Sequence, residues 1–424
     1  MKTFQIITLA VFVLLAIGGI VAFATYRSDS GEGTGGAVSI WGILPATAVN
    51  PFLQEVSTGK KDFVINYRQI SEENFDKELV EAIASGRSPD AIFLPDDLIV
   101  RFQDKVAVIP YENYPEREFK ETFIQEGELY LTQSGSLGIP FSIDPLVMYW
   151  NRDLFGSAGL ATYPKTWNEV LLLPSKLTVK DRTSNIVQSA VALGEYGNVT
   201  HAKKIISALL LQAGNPITDR KTQGGLESVL ATAGGGVASS VLGFYTEFGN
   251  PVKPIYSWNR SLPPSKNFFL SEDLAIYFGF ASELSDLRAK NPNLNFSVAP
   301  FPQLVDTRVK RTYGRMYALS VLKTAPNITG AYQAILTLTD SSSISIWSKR
   351  QSLPPVRRDL ISSVANDAAG TIFAEAALQS YGWLDPNPQI TDGIFRSMIE
   401  SISSGSRRLE EAISRANAEL ENVR

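Results

Sequence analysis

Short apolar runs alternate with helical patterns along the chain, and this alternation limits the possible folds more than any other feature. Val38–Trp41, Ala91–Leu94 and Phe296–Ala299 read as strands, and Phe75–Ser85 has the spacing of an amphipathic helix. Such an order predicts an α/β fold with a parallel sheet. Because 424 residues exceed what one hydrophobic core organises, we expect two or three core units.

The N-terminus begins with an uncharged apolar stretch, Phe4–Thr25. At ~1.5 Å per helical residue it reaches about 33 Å, enough for a bilayer core. We therefore expect residues 1–27 to form a transmembrane signal anchor, with cleavage near Ala24 and secretion as the alternative. Residues 28–37 are rich in Gly and Ser and predict a flexible linker. The large domain is then expected on the extracytoplasmic side of the cell membrane.

Composition excludes several classes of chemistry. The chain has no cysteine and one histidine, His201, which removes thiol nucleophiles, Cys/His zinc sites and Ser-His triads. We expect His201 to be a solvated residue on a helix surface. A net charge of -4 without a basic run gives no basis for nucleic-acid binding. These absences exclude much enzyme chemistry, and we expect no metal, no cofactor and no covalent chemistry.

Acidic residues follow two of the apolar segments. Asp96 and Asp97 come after the Ala91–Leu94 strand, and Asp144 stands between two apolar stretches, before Pro145. Ligands of open α/β sheets bind beyond the carboxyl ends of strands, and carboxylates there suit hydroxyl or ammonium groups. Helix capping is the alternative role for the Asp96 and Asp97 pair.

Ile139–Phe155, with the later Pro164–Glu169, resembles the central signature of the family 1 extracellular solute-binding proteins of bacterial ABC transporters. This family includes the maltose-binding protein. Further stretches match in the same order, so the resemblance runs from Val38 to the C-terminus. The family's lipidated cysteine is missing, which leaves the apolar N-terminus as the expected tether.

The resemblance implies a two-lobed periplasmic-binding-protein fold of type II with the ligand between the lobes. By analogy, lobe one comprises residues 38–143 plus 272–320, and lobe two comprises 144–271 plus 321–424. It also implies a monomer that captures a small-molecule ligand, with a sugar expected, and interacts with ABC permease subunits.

The resemblance also implies a set of ligand-binding residues. Asp144 matches a hinge carboxylate, and Asp97 matches a lobe-one acid, although Leu94 and Leu98 replace the aromatic and basic neighbours found in the family. For Arg315, a surface ion pair is the alternative. The complete predicted set is Asp97, Asp144, Glu195, Asn198, Tyr256, Trp258, Asn259, Phe280, Ser282, Arg315 and Trp383.

Aromatic rings beside carboxylates and amides match the apolar faces and hydroxyls of sugars, so the predicted ligand is a carbohydrate, an oligosaccharide above all. Three alternatives stay open: a polyamine or other small solute, hydrolysis by paired carboxylates in a surface glycosidase, and a role in adhesion or sensing rather than transport.

Overall fold

The computed structural model describes residues 36–58, 64–221, 225–305, 307, 309–364 and 367–423. The predicted anchor, and the linker up to residue 35, lie outside these residues. Within the described ranges, no helix has both the length and the apolar character needed to cross a bilayer.

The elements alternate between strands and helices, as the sequence predicts. The strands are β1 (Ala37–Gly42), β2 (Val64–Gln69), β3 (Ala91–Pro95), β4 (Ile109–Pro110), β5 (Gly135–Ser136), β6 (Ile139–Asn151), β7 (Val179–Lys180), β8 (Ile186–Val191), β9 (Thr218–Arg220), β10 (Leu226–Ser228), β11 (Leu274–Phe280), β12 (Phe296–Ala299) and β13 (Gly314–Val321).

The α-helices are α1 (Ala46–Ser57), α2 (Glu72–Ala84), α3 (Ile99–Phe102), α4 (Glu116–Thr122), α5 (Arg152–Ser157), α6 (Trp167–Leu171), α7 (Pro174–Leu177), α8 (Ala202–Gln212), α9 (Val237–Glu247), α10 (Ser265–Leu270), α11 (Glu283–Lys290), α12 (Ile328–Leu338), α13 (Ser341–Gln351), α14 (Ile361–Val364), α15 (Ala368–Leu378), α16 (Pro388–Ser403) and α17 (Leu409–Glu421). Four 3₁₀ helices cover Asp96–Leu98, Gln125–Tyr130, Ala233–Gly236 and Arg358–Leu360.

One long strand, β6, joins two halves of a nine-stranded sheet. Its first half pairs antiparallel with β13, which continues through β3, β1 and β2. Its second half pairs antiparallel with β11 and β12, and β11 continues through β8 to β7. Strand β6 therefore runs through Pro145 without a break, and the sheet is mixed rather than parallel as predicted, because β6 pairs antiparallel with its neighbours.

Two hydrophobic clusters define the lobes of the structure. The lobe-one cluster includes Phe52, Phe93, Phe141 and Trp347, whose rings contact one another in the core. The lobe-two cluster includes rings from distant segments, among them Trp167, Phe278 and Phe301. Each half of the sheet is therefore covered by its own core, and the two-lobed α/β architecture follows.

The predicted lobe boundaries differ from these clusters in two places. Strand β11, assigned to lobe one from the sequence, packs in the lobe-two cluster because it pairs with residues 146–150 of β6. Helices α12 and α13, assigned to lobe two, pack in the lobe-one cluster through residues such as Ile335 and Trp347. Among the described residues, the lobe-one core thus draws on the segments between 37 and 143 and between 314 and 351, and the lobe-two core on those between 146 and 313 and on the last two helices. The segment between 352 and 387 contributes to both cores, for example Val356 to lobe one and Phe373 to lobe two.

Local capping explains where the helices of the Ile139–Glu169 signature begin. The Asn151 side chain accepts hydrogen bonds from the amides of Asp153 (2.9 Å) and Leu154 (3.1 Å), which starts α5. The Thr166 hydroxyl accepts from the Glu169 amide (3.3 Å) and starts α6. Both side chains satisfy amides that have no partner within their helices.

Gly194 allows a close approach between two backbone segments that follow β8 and α9. Its φ is +96°, and a Cβ atom there would overlap the backbone of Gly249. We expect Gly194→Ala to destabilise the protein by about 2–4 kcal/mol because strain and overlap add. Urea unfolding measures this, with Gly156→Ala in α5 as the control, since a Cβ at Gly156 meets no atom within 4 Å. Equal stabilities of the two variants would contradict the argument.

Candidate functional site

A cleft of about 930 Å³ lies between the two lobes. Lobe one contributes the start of α2 and the turn that follows β3, and lobe two contributes the starts of α8 and α16. The residues that line it are Ile43, Ser71, Glu72, Glu73, Asp76, Pro95, Asp97, Leu98, Arg101, Tyr196, Gly197, Val199, His201, Ala202, Lys203, Lys204, Asn387, Pro388, Gln389, Asp392 and Arg396.

The start of α16 is fixed by its own sequence. The Asn387 side chain accepts hydrogen bonds from the amides of Gln389 (3.2 Å) and Ile390 (3.3 Å), and Pro388 occupies the first turn. Proline is favoured there because the first helical amides need no intrahelical partner. This capped turn holds Asn387 and Gln389 at the cleft wall.

An ion pair crosses the cleft between the lobes. The Lys204 ammonium on α8 lies 3.2 Å from Asp97 Oδ2 and 3.0 Å from the Tyr313 hydroxyl, and 4.7 Å from the centre of the Tyr313 ring. Burial raises the pKa of Asp97, but the Lys204 ammonium outweighs it with other cations, so the net shift is downward. Asp97 is therefore ionised, and Lys204 is its counterion.

Asp96 lies directly behind this ion pair and is fully buried. Its carboxylate accepts hydrogen bonds from the Met316 amide (3.1 Å) and the Tyr313 hydroxyl (3.2 Å). Burial, with the charge of Asp97, raises the pKa of Asp96 to about 7 despite Lys204 nearby. It does not cap the following 3₁₀ helix with its side chain, so the capping alternative for Asp96 is wrong.

Lys203 forms a separate polar cluster inside lobe two. Its ammonium contacts Asp385 Oδ2 and the Thr391 hydroxyl, each at 2.5 Å. Burial lowers the pKa of Lys203, while Asp385 opposes the shift. Two consecutive lysines thus have different partners, because Lys203 binds α16 and its preceding loop whereas Lys204 reaches lobe one.

Of the predicted ligand residues, Asp97 lines the cleft, and the others lie outside the lining described above. Asp144, Ser282 and Arg315 meet at the β6–β13 crossing. Asp144 accepts from the Ser282 amide (2.9 Å), the Ser282 hydroxyl (2.7 Å) and Arg315 (2.9 Å). The Arg315 guanidinium lies 4.6 Å from the centre of the Phe280 ring. Protein groups therefore already satisfy this hinge carboxylate, and the ion pair of Arg315 is half-buried.

Four more predicted residues form a packed unit in lobe two. Trp258 is completely buried, and its Nε1 donates to Asn198 Oδ1 (3.0 Å). The Asn198 amide in turn donates to the Asn259 carbonyl (2.9 Å), and the Asn259 side chain donates to the Tyr256 hydroxyl (2.8 Å). These contacts place the indole in the core, so the structure does not support it as a cleft contact.

Glu195 and Trp383 also have partners within the protein. Glu195 is buried and pairs with Arg260 at 3.3 Å, and its pKa is raised because burial outweighs that cation. Trp383 is buried, and its Nε1 donates to the Ser207 hydroxyl (3.1 Å). Neither residue lines the cleft in this conformation.

His201 corrects an expectation, because it is not a freely solvated residue. It sits at the N-cap position of α8 with φ of 63°, and its Nε2 lies 2.7 Å from Glu283 Oε1. Its ring, at the cleft wall, meets Phe280 edge-on with the ring centres 4.8 Å apart. Sequence reasoning also missed Tyr196 and Gln389; for Gln389, the Asn387-Pro388 helix start was the available signal.

Asp96 gives the stability a pH dependence of known sign. Its pKa in the folded protein, about 7, exceeds the ordinary 3.8, so the folded state retains a proton that the unfolded chain has lost. Stability from this group therefore falls as pH rises from about 4 to 7. In the wild type we expect the free energy of unfolding to fall by on the order of a few kcal/mol over this pH range because of Asp96, and in Asp96→Asn we expect this decrease to be absent. Urea unfolding at pH 5 and pH 7.5 gives the change in unfolding free energy between the two pH values for each protein. The same change in Asp96→Asn as in the wild type would contradict this prediction.

Three comparisons place this geometry among known proteins. Residues 46–340 match the model of the family described as bacterial extracellular solute-binding protein. A binding protein of Brucella abortus (strain 2308) is 22% identical over 362 residues, covering 82% of this chain and 81% of that protein.

Solved structures share the fold at low identity. The cyclic alpha-maltosyl-1,6-maltose binding protein from Arthrobacter globiformis has a TM-score of 0.74 at 16% identity, covering 91% of this chain and 99% of that one. A Thermotoga lettingae solute-binding protein bound with alpha-D-tagatose has a TM-score of 0.68 at 20% identity, covering 91% and 99%. The family match spans more than half of the sequence, and the chain belongs to the bacterial extracellular solute-binding proteins.

Proposed function

We propose that this protein is the extracytoplasmic solute-binding component of an ABC importer, which captures a carbohydrate between its lobes and delivers it to a membrane permease. The cleft of about 930 Å³ carries the proposal, because residues of both lobes line it. Its volume lies near the upper end of the ~300–1,000 Å³ typical of small-molecule sites, which suits an oligosaccharide better than a single sugar.

Polar groups in the cleft suit hydroxyl-rich ligands. Gln389 on lobe two has an exposed side chain, and Glu72 and Glu73 at the start of α2 on lobe one are exposed as well. Amides and carboxylates can hydrogen-bond several sugar hydroxyls at once. The name of the Arthrobacter neighbour and the bound ligand of the Thermotoga one point to the same class of solute.

Capture then depends on closure of the lobes. A ligand that contacts both walls stabilises the closed form by its differential affinity for that form. The Lys204–Asp97 pair already joins the walls, so a bound ligand must either fit beside this pair or replace it. Hydrogen bonds from the cleft walls that form only in the closed form can supply this difference in affinity without any covalent step.

Binding is tested by thermal shift and calorimetry on the full-length protein in detergent, with monosaccharides, maltooligosaccharides, spermidine and peptides as probes. We expect one oligosaccharide class to bind; at 100 times its Kd it should add about 2.7 kcal/mol of stability. Gln389→Ala should weaken binding by about 2- to 10-fold, the value of one hydrogen bond.

Gln54→Ala is the matched control, because Gln54 is an exposed residue of α1 outside the cleft lining. Binding of spermidine in place of sugars would favour the polyamine alternative. Recovery of shortened sugars after incubation would favour hydrolysis, and the proposal would then be wrong.

Closure itself is tested by small-angle X-ray scattering. Replacing Lys204 with Met removes the cation that joins the lobes, so we expect ligand-free Lys204→Met to have a larger radius of gyration than the wild type. Lys176→Met, an exposed substitution on α7, is the control. A radius identical to the wild type would show that the Lys204–Asp97 pair does not hold the lobes together.

A further inference from the structure

A second cavity, of about 190 Å³, lies between the lobes and shares no lining residue with the large cleft. The 3₁₀ helix Gln125–Tyr130 of lobe one forms one wall. The opposite wall comprises Arg220 at the end of β9 and the segment 381–384. Leu384 packs in the lobe-one cluster and Tyr381 against the lobe-two cluster, so side chains of both lobes line the cavity.

Glu126 is the unusual residue of this cavity. Its side chain is 2% exposed, and neither carboxyl oxygen has a hydrogen-bond partner among the described residues. The Gly382 backbone lies beside the carboxyl and lowers its pKa, but it does not meet the geometry of a hydrogen bond. A Cβ at position 382 would overlap Glu126 Oε1, so glycine there leaves room for the carboxyl. Buried polar groups without partners are rare and call for a ligand, an ion or water.

The environment of Glu126 favours its neutral form. Burial, with the charge of Asp96, raises the pKa of Glu126 well above its ordinary range, against the effect of Lys204. A protonated carboxyl offers one donor and at least one acceptor, and both are unused here. Asp96 also lies beside the Lys204–Asp97 pair, so this buried acid interacts electrostatically with both Glu126 and that pair, although it lines neither cavity.

Arg220 is an exposed residue whose guanidinium lines this cavity, together with the Glu128 side chain on the facing wall. Its guanidinium donates to the carbonyls of Leu129 (3.4 Å) and Leu131 (3.2 Å), which hold it against lobe one. Among the residues that the structure describes, no carboxylate lies within ion-pair distance of it. Two carbonyls leave several of the five N–H donors free, in a geometry that suits a carboxylate.

We propose that this second cavity binds a small hydroxylated carboxylate, about the size of one sugar acid, with its hydroxyls on Glu126 and its carboxylate on Arg220. At ~30 Å³ per water molecule, the volume equals about six waters, which accommodates one ring but not a chain. The site is additional to the proposed capture of a carbohydrate in the large cleft.

Isothermal titration of the full-length protein in detergent with D-glucuronate tests the site. D-glucose, which has the ring without the carboxylate, and acetate, which has the carboxylate without the ring, are the comparison probes. We expect glucuronate to bind at least tenfold more tightly than either. Arg220→Gln and Glu126→Leu should each weaken it about tenfold or more, whereas Glu126→Gln, which keeps a donor and an acceptor, should stay within about threefold of wild type.

Two further variants locate the binding. Arg117→Gln removes an exposed arginine that pairs with Glu121 on α4, and it should leave the glucuronate affinity unchanged. Gln389→Ala alters the large cleft and should also leave it unchanged. Loss of glucuronate binding in Gln389→Ala but not in Arg220→Gln would place the sugar acid in the large cleft and overturn the inference.

The remaining outcomes separate the two proposals. If glucuronate binds no better than glucose, the second cavity holds water only and the inference is wrong, while oligosaccharide binding that is sensitive to Gln389→Ala would still support carbohydrate capture. If glucuronate binding needs Arg220 but no oligosaccharide binds, the inference stands and the proposed capture of a carbohydrate fails. Glu126→Gln and Arg220→Gln keep the test decisive even if Glu126→Leu does not fold.

Discussion

The hydrogen bonds of β6 are the constraint on which the rest of the structure depends. One strand pairs with β13 through its first half and with β11 and β12 through its second half, so each lobe uses part of the same backbone. Nearly every residue of the strand is buried, which a strand covered on both faces requires. The lobes therefore share a covalent and hydrogen-bonded centre, and the cleft forms where their helix starts face each other across it.

Charge compensation around the cleft follows from that arrangement. Asp96 and Asp97 lie at the end of β3, where two neighbouring carboxylates in a buried position are costly unless cations balance them. Lys204 provides one positive charge for two carboxylates. The second negative charge is left uncompensated, and the pKa of Asp96 is raised as a result. The same acid acts on Glu126 behind it, so the large cleft and the smaller cavity are electrostatically linked although their linings are separate.

Sequence reasoning identified local elements better than distant contacts. The strands at Val38 and Ala91 and the helix at Phe75 occur close to their predicted positions, because periodicity and buried runs are local properties. Placing β11 in lobe one was wrong, since its pairing with β6 joins segments far apart in the sequence. Asp97 lies at the cleft because it directly follows a strand, and ligand clefts of open α/β sheets form beyond the carboxyl ends of strands. Trp258 was misplaced because its partner Asn198, which makes a buried indole tolerable, is recognisable only from the tertiary fold.

The adjacent lysines of α8 have a mechanical consequence. Lys203 ties α8 to Asp385 and Thr391, and so to the first turn of α16, where Gln389 faces the cleft. Lys204, one residue later on the same rigid helix, ends at Asp97 of the other lobe. A displacement of the α16 turn therefore moves α8, and with it the Lys204–Asp97 contact between the lobes. Under the proposed function, a ligand bound at the α16 turn therefore acts on the contact between the lobes through the same helix that holds that turn in place.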